Sequence, residues 1–159
     1  MNITLISVGK LKEKYLKEAI DEYVKRLQRY CKVSIIELQD EKTPDNASEK
    51  EELQIKDKEG EAILKVIKDT SYVIVLDLKG KMITSEEFSS YIQELGVSGK
   101  SDLIFVIGGS LGLAQSVINR ANYKLCFSKM TFPHQLFRVM LLEQIYRAFR
   151  IMKNEPYHK

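Results

Sequence analysis

Five short apolar runs constrain this chain more than any other feature. Ile3–Val8, Val33–Leu38, Tyr72–Leu78, Asp102–Ile107 and Tyr123–Phe127 are nearly continuous in aliphatic and aromatic residues. Stretches of helical spacing lie between them. Runs of this length without alternation read as strands buried on both faces, the habit of parallel sheets. Strand–helix alternation with short connections predicts an α/β fold, a mainly parallel sheet covered by helices on both faces. Residues 1–159 read as one domain, with no repeat, linker or low-complexity tract.

The intervening segments carry helix signals. Over Glu13–Tyr30, Tyr15, Leu16, Ala19, Ile20, Tyr23, Val24 and Leu27 recur at helical spacing. Ser48-x-x-Glu51 and Thr84-x-x-Glu87 have the form of capping boxes. The first opens a charged, surface-lying helix to about Ile67, the second a helix to about Leu95. Gly80 is expected to break the third strand, which is the candidate for the sheet centre. Gly108–Gly112 is a tight loop leading to a short helix that ends near Arg120. Pro133 stands at the first turn of a last helix, His134–Met152.

Composition excludes several function classes. Lys+Arg number 25 against 22 Asp+Glu, far from a dedicated nucleic-acid module. The charge is divided along the chain. Lys10–Lys32 and Lys129–Lys159 are basic, and Glu37–Glu61 carries ten acids against four lysines. Basic ends are compatible with a polyanion partner, but charge alone favours solvated helix faces. No apolar run approaches a membrane span, and the N-terminus lacks the form of a signal peptide. Cys31 and Cys126 read as reduced thiols of a cytoplasmic protein. His134 and His158 are too far apart in the chain for a paired metal motif, so no metal is expected.

Ligands of open α/β sheets sit beyond the carboxyl ends of the strands. That directs attention to Leu76–Gly80, Gly108–Gly112 and Phe127–Pro133. The glycine loop is neither a dinucleotide fingerprint nor a P-loop. On its own it serves equally as a structural turn. The last helix is apolar on nearly every side, as expected of a helix buried on more than one face, and a second copy of the chain is the simplest cover. Its polar seam is Glu143, Arg147 and Arg150, in which Arg147 and Glu143 can pair. The tail Pro156-Tyr157-His158-Lys159 is a frayed end by default, although aromatic and cationic groups together can hold an unpaired base.

Several of these segments together resemble a known family. They are Val106-Ile107-Gly108-Gly109-Ser110-x-Gly112, Phe127-Ser128-Lys129-Met130-Thr131-Phe132-Pro133-His134-Gln135, Glu143-Gln144-x-Tyr146-Arg147-Ala148 and Pro156-Tyr157-His158. The opening Ile6-Ser7-Val8-Gly9-Lys10 fits as well. The set resembles the small SPOUT methyltransferases, and within them the ribosomal large-subunit RNA methyltransferase H family. The resemblance implies an α/β fold with a C-terminal trefoil knot, which the general rule against threaded chains would not suggest. It implies a homodimer that binds S-adenosylmethionine in the knot. Its substrate would be N3 of a pseudouridine in 23S rRNA of the assembled ribosome. Cofactor contacts are implied at Leu76, Gly108, Phe127, Ser128, Lys129, Met130, Thr131 and Phe132, and substrate-side positions at Arg147, Tyr157 and His158.

The chemistry suits those residues. Methyl transfer needs the nucleophilic nitrogen aligned and its proton removed. His158 is the candidate base, Arg147 would stabilise charge on the uracil or hold phosphate, and Tyr157 would stack on or hydrogen-bond to the base. The other readings are a non-catalytic ribosome-binding or assembly factor and a nucleotide-binding α/β domain.

Overall fold

A computed structural model describes residues Met1–Lys159. The elements alternate as β1 (Asn2–Val8), α1 (Lys14–Leu27), β2 (Lys32–Leu38), α2 (Glu49–Val66), β3 (Tyr72–Lys81), α3 (Ser85–Val97), β4 (Asp102–Ile107), α4 (Gln115–Arg120), β5 (Tyr123–Leu125) and α5 (His134–Met152). All five strands run parallel, in the order β2-β1-β4-β3-β5. The apolar runs are continuous because both sheet faces are covered. Ile3, Leu5, Ile74, Leu103, Phe105 and Ile107 pack under α1, α3 and α5. Ile6, Val8, Val73, Val75, Ile104 and Val106 face α2 and α4. No helix is long and apolar enough to cross a membrane.

Four expectations are corrected. The sheet centre is β4, not β3. Five consecutive residues, Leu103–Ile107, are buried in β4, whereas β3 ends in the polar stretch Asp77–Lys81. Gly80 does not break β3. The chain leaves the ladder at Leu76 and rejoins it at Lys81, both opposite Leu125. A Cβ on Gly80 would lie 2.7 Å from the backbone of Lys124 and Leu125, so only glycine lets the two strands approach. The fifth strand stops at Leu125, and Phe127 leaves the sheet for the ligand cavity described below. The first helix ends at Leu27.

The helix caps form largely as the sequence signals them. Thr84 and Glu87 make a full reciprocal box at α3, whereas at α2 only the Ser48 hydroxyl accepts, from the Glu51 N–H at 3.2 Å. The apolar surface of α5 is partly consumed within the chain. Leu141, Leu142, Ile145, Ala148 and Phe149 belong to the core shared with α1 and α3, and Leu136 remains 40% exposed.

Candidate functional site

The carboxyl ends of β3, β4 and β5 surround one cavity of about 820 Å³, within the range of small-molecule sites. Leu76–Lys79, Ile107–Leu113 and the segment from Leu125 to Pro133 line it, and the first turn of α5 closes it with His134 and Phe137. The three strand-end segments singled out in the sequence therefore meet. Leu76, Gly108, Phe127, Ser128, Met130, Thr131 and Phe132 all line the cavity; Lys129 does not. Gly108 is needed at its place. A Cβ there would lie 3.0 Å from the Gly112 carbonyl carbon and from Leu113 Cδ2.

The lining suits an adenosyl sulfonium better than a polyphosphate. Lys79 is its only lysine or arginine, and Phe127, Phe132 and Phe137 supply flat apolar walls. Phe127 stands edge-on to Phe137 at 4.8 Å, and Phe132 stacks on Phe137 at 6.1 Å. The loop 126–130 is closed locally. Cys126 Sγ donates to the Ser128 carbonyl at 3.1 Å, and Ser128 Oγ accepts from the Met130 N–H at 3.0 Å.

Two buried charges behind the cavity escaped the sequence reading. Arg138 on α5 is 1% exposed; it donates to Glu37 Oε2 at 2.9 Å and to the carbonyls of Val8 and Gly9 at 3.1 and 2.8 Å. It ties the start of α5 to the ends of β1 and β2. Its one sequence signal is an arginine set among Phe137, Val139 and Met140. Burial, and then Arg138, hold the His134 imidazole below its usual range. Glu59 on α2 packs against Gly109 and is raised above the usual carboxylate range by burial.

The second predicted set gathers elsewhere. Glu143 accepts from Arg147 Nη2 at 2.5 Å and from the Tyr157 hydroxyl at 3.0 Å. The Arg147 guanidinium lies over the Tyr157 ring, 4.8 Å from its centroid. Arg147 Nη1 is 3.1 Å from His158 Nδ1, and His158 Nε2 is 2.7 Å from Glu86 Oε1 on α3. The tail is thus docked rather than frayed. Arg150 helps to hold it through Glu155 and the Pro156 carbonyl, and Tyr30 donates to Glu155. So Arg147 pairs within the seam as expected, whereas Arg150 turns to the tail. Burial and Glu143 raise the Tyr157 phenol. The structure brings Arg147, Tyr157 and His158 together, but none of the three lines the 820 Å³ cavity of the same chain. A second cavity of about 500 Å³ lies between them, sharing Phe127 and Phe132 with the first and including Glu143 in its lining.

A parallel α/β sheet with a ligand cavity at three strand ends defines a class, and comparison with known proteins specifies it. The family model described as "Predicted SPOUT methyltransferase" matches residues 1–158, and the chain belongs to that family, whose α/β-knot is the fold class implied by the sequence motifs. The chain is 79% identical to Ribosomal RNA large subunit methyltransferase H 1 of Clostridium perfringens. It is 76% and 74% identical to the proteins named Ribosomal RNA large subunit methyltransferase H in Clostridium botulinum and Clostridium acetobutylicum. Each match covers all of both chains.

Proposed function

We propose that this chain transfers a methyl group from S-adenosylmethionine to N3 of a pseudouridine in 23S rRNA of the assembled ribosome. Residues 1–159 act as one catalytic domain. The observation that carries the reading is the cavity at the ends of β3, β4 and β5, lined by seven of the eight residues expected to contact the donor. Backbone groups of the loops at Leu76, Gly108 and Phe127–Phe132 hold the adenosyl part, and Lys129, within the last of these loops, stands outside the lining. The bound donor supplies an electrophilic methyl on a sulfonium. The phenylalanine walls keep water from it.

On the substrate side, Arg147 stabilises the charge that develops on the uracil ring, Tyr157 stacks on the base, and His158 takes the N3 proton. These groups do not reach the cavity of their own chain. A homodimer resolves the separation, with the tail of one copy completing the cavity of the other. The mild charge of the chain suits recognition by the shape of the ribosome rather than by a base-reading groove.

The test is incorporation of label from S-adenosylmethionine into whole ribosomes and into protein-free rRNA, with mass mapping of the product. Methylated pseudouridine from ribosomes alone is the expected result. No incorporation would favour a binding factor, and equal rates on free rRNA would remove the ribosome from the recognition.

A further inference from the structure

The hydrogen bonds around His158 determine its protons. Arginine has five donors and no acceptor. The contact between Arg147 Nη1 and Nδ1 at 3.1 Å therefore uses the Nδ1 lone pair. That leaves the proton of the neutral ring on Nε2, which donates to Glu86 Oε1 at 2.7 Å. The Glu86 carboxyl lies below the usual carboxylate range, first because of this bond to His158. Glu86 is the second residue of α3, between the capping-box partners Thr84 and Glu87, so its backbone is fixed. The charged and titratable groups about the imidazole are Glu86 from α3, Arg147 and Glu143 from α5, and Tyr157 and Lys159 in the tail.

We infer that Glu86 is a positioning residue. Arg147 sets the Nε2–H tautomer at rest by occupying the Nδ1 lone pair, and Glu86 holds that tautomer, with Nδ1 of His158 the basic nitrogen, once the substrate draws the guanidinium away. The inference rests on the base role proposed for His158. It gives Arg147 two successive partners, the imidazole at rest and the uracil or its phosphate in the complex. In the step itself, the N3 proton passes to Nδ1. The N3 electron pair forms the bond to the methyl carbon as the carbon–sulfur pair stays on sulfur, and the imidazolium then returns its proton to water. The base is exposed only when RNA is in place, and Glu86 keeps the ring from turning meanwhile.

The test compares Glu86→Ala, Glu86→Gln and His158→Asn in the full-length protein. Glutamine keeps an oxygen that accepts from Nε2–H, and alanine does not. Glu86→Ala is expected to lower kcat on ribosomes about tenfold or more, with S-adenosylhomocysteine affinity by calorimetry unchanged. Glu86→Gln should restore most of that loss. In an Arg147→Ala background, nitrogen NMR of the labelled imidazole should show the Nε2–H tautomer with Glu86 or Glu86→Gln, and a mixture with Glu86→Ala. If His158→Asn is inactive while both Glu86 variants keep the parent rate and tautomer, the positioning role is overturned and the base assignment stands. If His158→Asn methylates at the parent rate, the base assignment itself fails.

Discussion

The buried guanidinium of Arg138 concentrates more risk than any other side chain. It meets one carboxylate and two carbonyls, and Glu37 is the only countercharge bonded to it. Glu37→Ala leaves a cation facing carbonyls alone and also frees the Leu11 N–H that the same oxygen accepts at 2.7 Å. A loss of about 3 kcal/mol is expected, read from urea denaturation. His134 gives a pH prediction at the same scale. Its folded-state value is lowered, so the unfolded chain takes up the proton first as pH falls. Its neutral form therefore costs no stability above the ordinary histidine range near pH ~6.5, and stability is lost as pH drops below that range toward the folded value. His134→Gln should narrow the gap between urea midpoints at pH ~7.5 and ~5.5 relative to the parent.

At the scale of elements, the end of α5 decides where the tail goes. The Asn154 N–H donates to the Ile151 carbonyl at 3.0 Å and the Glu155 N–H to the Arg150 carbonyl at 2.9 Å, a Schellman closure with Asn154 at φ +52°. That reversal returns Tyr157 and His158 to Arg147 instead of letting them run on beyond the helix. A β-branched residue resists this conformation. Asn154→Val should cost about 1–2 kcal/mol by thermal unfolding, and transfer should fall more than donor binding because the tail is displaced. Asn154→Gly should leave both close to the parent. The closure is legible only in hindsight: asparagine near a helix end is a weak signal, and nothing local marks Glu86 as the tail's landing point 72 positions away.

At the scale of the whole molecule, the cavity proposed to take the donor and the proposed substrate-side cluster of Arg147, Tyr157 and His158 lie apart on one chain. If a neighbouring copy joins them, two differently damaged chains can complement one another. Gly108→Val should block the cavity, because even a Cβ reaches 3.0 Å from Gly112 and Leu113. Deleting residues 157–159 should remove the substrate side and leave donor affinity intact. Each alone is expected to be inactive. Mixed and refolded together, they should regain up to about a quarter of parental activity, since about half the dimers are mixed and each has one intact composite site. Recovery of nothing from a mixture shown to contain mixed dimers would argue that each chain works alone.

The strands, most helix boundaries and the three loops around the cavity follow from local pattern: apolar runs, helical spacing, two serine or threonine caps and a glycine turn. Those signals report what each segment does with its own backbone and which faces it must bury. They do not report which distant segments meet. That Gly80 is required by the backbone of Lys124 and Leu125, that Arg138 finds Glu37, and that His158 lies between Arg147 and Glu86 depend on contacts across up to 101 positions of chain. The order of strands in the sheet belongs to the same group: the apolar runs Tyr72–Leu76 and Leu103–Ile107 are alike, and only packing against the remaining elements puts β4 in the middle.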